Sequence, residues 1–443
     1  MPKNIGLVGL GKTNLALLDV LLGIDGIGLT LRDSRYGRKA PSEGESIRIK
    51  EGGEWLSDIN EEILFLSPSV RRDIGPLEEA AVRGASLSSD CEMFFSAKGR
   101  ERVFAVTGSD GKSTVTDLTA RLLSAGGIGT EAIGNCGTPY IARSEKEAYV
   151  TELSSFNLEY LTPESERAVI TSITPNHLNW HTSYEEYIDT KMRVLTLTEG
   201  KILSLDSEMT AKIAETSQAF AVYSLRLSPR EAKNRFRAEH YYCISNGNIT
   251  RDGEKIIAIR ELGRPESYNI MNAMAALALT DGAIDKDTAV AVLSSYRGLA
   301  HRCELIYDKD GIRIYDSSID TSPQRSAQTI TALGKRARIL LGGRGKGLSL
   351  APLTEPLTRY ADRIAVYGDG RDEICDYLRS DDRLRCIPSR AFHRFEDAVE
   401  YLLFGIGEGE TAILSPAHTA YGEFTDFEER GECFKRLVLS LLI

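Results

Sequence analysis

Residues 103 to 114 read Val-Phe-Ala-Val-Thr-Gly-Ser-Asp-Gly-Lys-Ser-Thr. An apolar, strand-forming run enters a loop bounded by Gly108 and Gly111, with Ser109 and Asp110 between them and Lys112, Ser113 and Thr114 after. Glycines permit positive φ and bring backbone N–H groups against an anion, and a helix that starts there aims its positive end at the same point. Lys112 then supplies a point charge for β- and γ-phosphates, and the hydroxyl that follows can ligate Mg²⁺. The following helix is marked by Val115, Leu118 and Leu122 on one face and by Gly126-Gly127 at its end. ATP with Mg²⁺ is the expected ligand, and a glycine turn with a solvated lysine is the alternative. The usual G-x-x-x-x-G-K-[ST] spacing is not kept, because Val106 stands where its first glycine would be.

A second glycine turn, Gly9-Leu10-Gly11, follows the apolar run Ile5 to Val8. The third glycine of G-x-G-x-x-G is replaced by Asn14, while Asp33 closes the next apolar run, Leu29-Thr30-Leu31, and would suit a ribose hydroxyl. This favours a nucleotide or nucleotide sugar over NAD.

These groups need elements that present them at strand ends. Apolar runs alternate with helical patterns along the whole chain, which predicts α/β architecture with ligand groups at strand C-termini. A Rossmann-like domain is expected over 1–97, with a third run Ile63 to Leu66 ending at Ser67-Pro68. A central P-loop ATPase-like domain with a mostly parallel sheet is expected over 98–298. It opens on a charged linker, Lys98 to Arg102, and has strands at Tyr149 to Glu152 and Ala168 to Thr174 and a helix at Met271 to Leu279. A second Rossmann-like domain is expected over 299–443, from strands at 312–315, 339–341, 364–367 and 412–414 and an amphipathic helix through Phe395, Val399 and Leu402.

The length of 443 residues agrees with about three domains. With 54 Lys+Arg against 64 Asp+Glu and no basic run, no nucleic-acid partner is expected. There is no apolar stretch of membrane-spanning length and no signal-like segment, so a cytoplasmic protein without membrane insertion is expected. Seven cysteines without a C-x-x-C pair read as thiols in a reducing compartment. Six histidines, of which only His177 and His181 are close, argue against a histidine-cysteine zinc site.

Further signatures follow the phosphate loop in a set order: Glu152-Leu-Ser-Ser-Phe-Asn-Leu-Glu159, Asn176-His-Leu-Asn-Trp-His181, Tyr187-x-x-x-Lys191, Asn269-x-x-Asn272, Gly298-Leu-Ala-His-Arg302, Asp316-Ser317, Leu340-Leu-Gly-Gly343, Ser415-Pro-Ala417 and Phe427-Glu-Glu-Arg-Gly431. In order and spacing the chain resembles the Mur ligases, and the resemblance is closest to the branch that adds D-glutamate to UDP-N-acetylmuramoyl-L-alanine. It implies a monomeric, three-domain enzyme of peptidoglycan precursor synthesis, in which a substrate carboxylate takes the γ-phosphate of ATP and the acyl phosphate is captured by an amine. It assigns Lys112, Glu152, His177 and Lys191 to catalysis and Ser113, Glu152, His177 and Lys191 to Mg²⁺. A free lysine, with pKa about 10.4, cannot ligate a metal at neutral pH, and in this family the lysine matching Lys191 is carbamylated. The match places ATP on residues 108–114, Asn269, Asn272, Arg302 and Asp316. It places the sugar nucleotide on Thr13, Asp33, Ser34, Arg35, Ser67 and Asn135, and the amino acid on Thr321, Lys346, Tyr421 and Phe427.

Some positions depart from the family pattern. Ser69 stands for a glycine, Tyr268 for a histidine, Gly345 for an aspartate, Ser318 for a lysine and Ala420 for a serine that would bond the amino acid carboxylate. Two alternatives stay open: a Mur-type ligase for another amino acid, and a P-loop regulator that only binds nucleotide.

Overall fold

A computed structural model describes residues 4–35, 46–99, 101–175, 180–345 and 347–442. The predicted site residues His177 and Lys346 lie outside these. The chain divides into two compact units, residues 1–296 and 297–443. Among the described residues it forms three sheets, two in the first unit and one in the second.

The first sheet has five parallel strands, in the order Ile47–Glu51, Gly28–Asp33, Asn4–Val8, Ile63–Leu66 and Ser86–Ser88. Helix Lys12–Leu21 packs Leu17, Leu18 and Leu21 against Leu7, Leu29 and Leu31. On the other face, helix Gly75–Val82 packs Leu77 and Ala80 against Val8, Leu64 and Leu66. Strands covered on both faces read as continuous apolar runs, which is why Ile5 to Val8 and Ile63 to Leu66 stand out in the sequence.

The second sheet has nine strands, from Glu254–Ala258 at one edge through Asn248–Arg251, Ala238–Ser245, Ala219–Ser224, Leu197–Ser204, Glu164–Ile170, Arg102–Thr107 and Ala148–Glu152 to Thr130–Gly134. Seven strands run parallel, and the last two at the 254–258 edge join as antiparallel hairpins. Strand alternation splits the core: Phe104 and Val106 face helices Lys112–Ala125 and Ser267–Leu279, while Val103 and Ala105 face the layer containing Tyr187 and Val194. Two expectations need correction. Arg102, read as linker, opens a strand and pairs its guanidinium with Glu166. The strand expected over 168–174 runs over Glu164–Ile170, because residues 171–174 leave the ladder to brace the phosphate loop.

The second unit holds a six-stranded sheet in the order Glu304–Lys309, Ile312–Asp316, Thr411–Ala417, Ala337–Gly342, Ala361–Tyr367 and Ser389–Phe392, antiparallel only at the first pair. Helix Phe395–Leu403, recognised from its apolar periodicity, packs Phe395, Val399 and Leu402 on one face of that sheet.

Candidate active site

The strand Arg102–Thr107 delivers the phosphate loop, and helix Lys112–Ala125 leaves it. Gly111 caps that helix in the left-handed region at φ +80°, and a Cβ there would run into Asn272 Oδ1. Gly108, at φ +148°, has no room for a Cβ against Thr171 Oγ1. The loop is held from outside itself: Ser109 N–H donates to Ser172 O at 2.8 Å, Thr174 N–H to Ser109 Oγ at 2.9 Å, and Asp110 N–H to Ser172 Oγ at 3.1 Å. Lys112 Nζ donates to the carbonyls of Gly108 and Ser109, both at 3.0 Å. A preformed concave loop at a helix N-terminus, with an ammonium at its rim, has the donors and charge that a polyphosphate requires.

Helix Tyr184–Met192 starts at Ser183, whose side chain accepts from Glu186 N–H. Tyr187 and Lys191, four residues apart, share its buried face. Tyr187 OH lies 2.9 Å from Ser109 Oγ, and its ring lies 4.8 Å from Lys191 Nζ. Lys191, 1 % exposed, donates to Gly108 O at 2.9 Å. Burial, and then the Lys112 ammonium, hold its amine well below the usual lysine range. Glu152 ends the neighbouring strand, is 5 % exposed, acts electrostatically on Lys191, and has an Oε2 that no group among the described residues satisfies. An orphaned buried carboxylate oxygen beside a phosphate loop with a hydroxyl at Ser113 fits a divalent cation, and a carbamate on Lys191 would supply a second anionic ligand.

Helix Ser267–Leu279 packs on the helix leaving the loop. It buries Asn272 beside Gly111 and, one turn earlier, Asn269, whose Nδ2 donates to Glu266 Oε2 at 3.0 Å. Asn135 is exposed in the turn after strand Thr130–Gly134, and its N–H donates to Glu152 O at 3.4 Å.

At the C-terminal edge of the first sheet, Asp33 and Ser67 meet the glycine turn, and Thr13 lies in the first turn of the helix that follows it. Asp33 Oδ2 accepts from Leu10 N–H at 2.7 Å and Oδ1 from Arg35 N–H at 3.0 Å. Burial raises the Asp33 pKa, but these two N–H groups and the Arg35 guanidinium outweigh it and leave the carboxyl below its usual range. Ser67 N–H donates to Val8 O at 2.9 Å, and Ser34 is exposed beside the turn. Asn14 does what a glycine could not: its Nδ2 reaches the carbonyls of Val8, Gly9 and Phe65 at 2.9 to 3.1 Å.

In the second unit Asp316 is fully buried. Its Oδ2 lies 2.6 Å from His301 Nδ1, and its Oδ1 accepts from Ser318 N–H at 2.9 Å. His301 sits at φ +58°, next to the half-buried Arg302, and Phe427 meets its ring edge-on at 6.3 Å. Arg430, also fully buried, donates to Ser318 Oγ (2.8 Å), Ser318 O (2.7 Å), Tyr367 OH (3.0 Å) and His418 O (3.2 Å). Thr321 is half-buried, and Tyr421 is exposed.

Tyr187, His301 and Arg430 stood within the quoted motifs without a role, and their burial and bonding now supply one. His181, 2 % exposed, lies 5.3 Å from the Tyr187 ring in an edge-on contact and was equally visible as the end of Asn176-His-Leu-Asn-Trp-His181.

Residues 106–280 match the Mur ligase middle domain. A UDP-N-acetylmuramoylalanine--D-glutamate ligase of Ruminiclostridium cellulolyticum is 31% identical over 458 residues, covering 99% of this chain and 97% of its own length. One from Salmonella choleraesuis is 29% identical, with 99% and 98% covered. Among solved structures, the UDP-N-acetylmuramate-alanine ligase of Thermotoga maritima superposes with a TM-score of 0.62 at 17% identity over 100% of both chains. A pseudomurein peptide ligase type C from Methanothermus fervidus gives 0.55 at 16% identity, over 99% of this chain and 100% of its own. Both share the fold.

Proposed function

The chain belongs to the Mur ligase family, and from that premise we propose that it joins D-glutamate to UDP-N-acetylmuramoyl-L-alanine at the expense of ATP, in the cytoplasmic assembly of peptidoglycan precursors. The observation that carries this is the convergence of Lys112, Glu152 and Lys191 on one preformed phosphate loop, in a chain aligned from end to end with D-glutamate ligases.

The chemical difficulty is that a carboxylate must approach a γ-phosphate of like charge. Lys112 offsets the phosphate charge, and the N–H groups of the loop orient the transferring oxygens. Ser113, Glu152, His177 and a carbamylated Lys191 are the proposed holders of Mg²⁺, which when bound supplies further positive charge to the phosphates. The L-alanyl carboxylate attacks the γ-phosphorus, ADP leaves, and the amine of D-glutamate displaces phosphate from the acyl phosphate to form the amide. Thr13, Asp33, Ser34, Arg35, Ser67 and Asn135 are assigned to the sugar nucleotide, and Asn269, Asn272, Arg302 and Asp316 to ATP. Thr321, Lys346, Tyr421 and Phe427 are assigned to the amino acid. The working divisions are 1–97, 98–298 and 299–443, and the active form is a monomer.

The test is phosphate release from ATP with UDP-N-acetylmuramoyl-L-alanine and, in separate reactions, D-glutamate, L-alanine and L-lysine. Turnover with D-glutamate is expected. Turnover only with another amino acid would trace to the side chains lost at Gly345 and Ala420, and silence with all three would overturn the ligase assignment.

A further inference from the structure

Two arginines in the loop after strand Ile63–Leu66 leave the first sheet and lie on aromatic rings in connections between strands of the second, Tyr160 after helix Ser155–Leu158 and Trp180 before helix Tyr184–Met192. Arg71 donates from Nη1 to the main-chain oxygen of Trp180, and its guanidinium lies 5.4 Å from the Trp180 ring centroid. Asp73 holds the remaining Arg71 nitrogens at 2.7 and 2.6 Å. Arg72 lies 4.2 Å over the Tyr160 ring and pairs with Glu92. On the other side, the Glu159 carboxylate accepts from Trp180 Nε1 at 2.6 Å and from Tyr160 OH at 2.8 Å.

The contacts continue inward. Trp180 packs on Phe156 with ring centroids 4.4 Å apart, Phe156 stacks with His181 at 6.5 Å, and His181 meets Tyr187 at 5.3 Å. Tyr187 bonds Ser109 of the phosphate loop and covers Lys191. An unbroken run of packed side chains thus joins Arg71, four residues beyond the predicted sugar-nucleotide contact Ser67, to the ATP loop. Nothing in cradling phosphates or in closing either sheet requires a cation on Trp180.

We propose that Arg71 is a positioning residue which, by gripping Trp180, couples occupancy of the sugar-nucleotide end of the first unit to occupancy of the phosphate loop. The coupling rests on the ligase reading for the identity of its two ligands. A ligand on Ser67 biases the loop that carries Arg71. The grip consists of one charge-assisted hydrogen bond and one cation–π contact, both sensitive to where that loop stands. A difference in grip between empty and filled states is a difference in free energy, and linkage makes it reciprocal: each ligand tightens the other by the same factor.

Calorimetry on the full chain decides this. The dissociation constant of UDP-N-acetylmuramoyl-L-alanine is measured with and without a saturating non-hydrolysable ATP analogue and Mg²⁺, in the natural protein, in Arg71→Ala and in Arg71→Lys. The expected tightening is about tenfold in the natural protein, close to none in Arg71→Ala and intermediate in Arg71→Lys. In a Trp55→Phe background, leaving Trp180 as the one tryptophan, the sugar nucleotide alone is expected to shift emission, and Arg71→Ala to abolish the shift. A purely structural Arg71 would change both dissociation constants and leave their ratio intact, and that result overturns the proposal. So does a ratio of one in the natural protein when both ligands bind. If neither ligand binds the natural protein, the ligase reading falls and takes the coupling with it.

Discussion

Replacing Lys191 with alanine tests the metal arrangement most directly. The side chain is 1 % exposed and ends 2.9 Å from Gly108 O, so its replacement by alanine opens a space as long as three methylenes and a nitrogen between the phosphate loop and the Tyr187 ring. At an ordinary lysine pKa of 10.5, about one amine in a thousand is neutral at pH 7.5, and only the neutral amine adds CO₂. Burial raises that fraction, and the Lys112 ammonium, which also lowers the amine's pKa, carries the charge that would offset a carbamate anion there. Loss of one preorganised charged group at a phosphoryl-transfer centre costs about 3 to 4 kcal/mol of transition-state stabilisation, a fall of two to three orders of magnitude in kcat. Acetate or formate can enter the vacated space and restore a carboxylate there, so activity is expected to recover about tenfold with either. Lys191→Arg keeps a cation, leaves no space and cannot be carbamylated, so it is expected to be equally inactive and deaf to acetate. The assay is phosphate release with and without added carboxylate, paired with carbon-13 NMR of protein in labelled bicarbonate, where a carbamate resonance should be present in the natural protein and absent in both variants. Activity in Lys191→Ala within threefold of the natural enzyme, or an active Lys191→Arg, would rule out a carbamate at Lys191 as a metal ligand.

Gly111→Ala places a Cβ in the left-handed region, costing about 1 to 2 kcal/mol, and drives it into Asn272; a rise of about tenfold in KM for ATP is expected from initial rates, with KM for D-glutamate unchanged. Arg430→Met strands Ser318 O, Tyr367 OH and His418 O without their buried donor. A loss of about 3 to 5 kcal/mol is expected in urea unfolding followed by circular dichroism, and a loss below about 1 kcal/mol would count against the network. Burial alone would lower the His301 pKa, but the hydrogen bond and charge of Asp316 more than offset it and raise it above 6.5. Its contribution is therefore complete below the unfolded-state pKa and is lost as pH rises through the higher folded-state value. Thermal stability should decline over that range above pH 6.5 in the natural protein, and this component should vanish in His301→Gln.

The phosphate loop was legible because its chemistry is carried by contiguous residues: two glycines, a lysine and hydroxyls between a strand and a helix. Lys191 and Tyr187 were legible as a pair four residues apart. Residues 171–174 were misread because Ala168 to Thr174 keeps a strand-like composition, and only tertiary contact tells that Ser172 and Thr174 bond the loop rather than a neighbouring strand. The hairpins at the 254–258 edge carry local turn signals, Asn246-Gly247 and Asp252-Gly253, with φ of +49°, +72°, +55° and +94°. Their attachment to a parallel sheet has no local signal. Asp316, which the resemblance assigns to ATP, is buried with His301 and Ser318 on its carboxylate, an outcome of packing that brings His301 to a partner 15 residues along and that no spacing announces.

The bracing of the phosphate loop also bears on when this protein becomes able to bind nucleotide. Ser109 is held by Thr174, 65 positions along the chain, Thr107 donates to Leu153, 46 positions along, and Gly108 accepts from Lys191, 83 positions along. Contacts of such sequence separation form late, after loop-closure entropy has been spent on pairing the parallel strands. A nascent chain ending before Lys191 therefore carries the complete glycine-lysine signature and no ATP site. In the finished protein the same dependence runs the other way: ATP binds only the assembled sheet, and at a hundred times its dissociation constant it would stabilise that sheet by about 2.7 kcal/mol. Nucleotide concentration in the cell then acts as a folding ligand for this chain as well as its fuel.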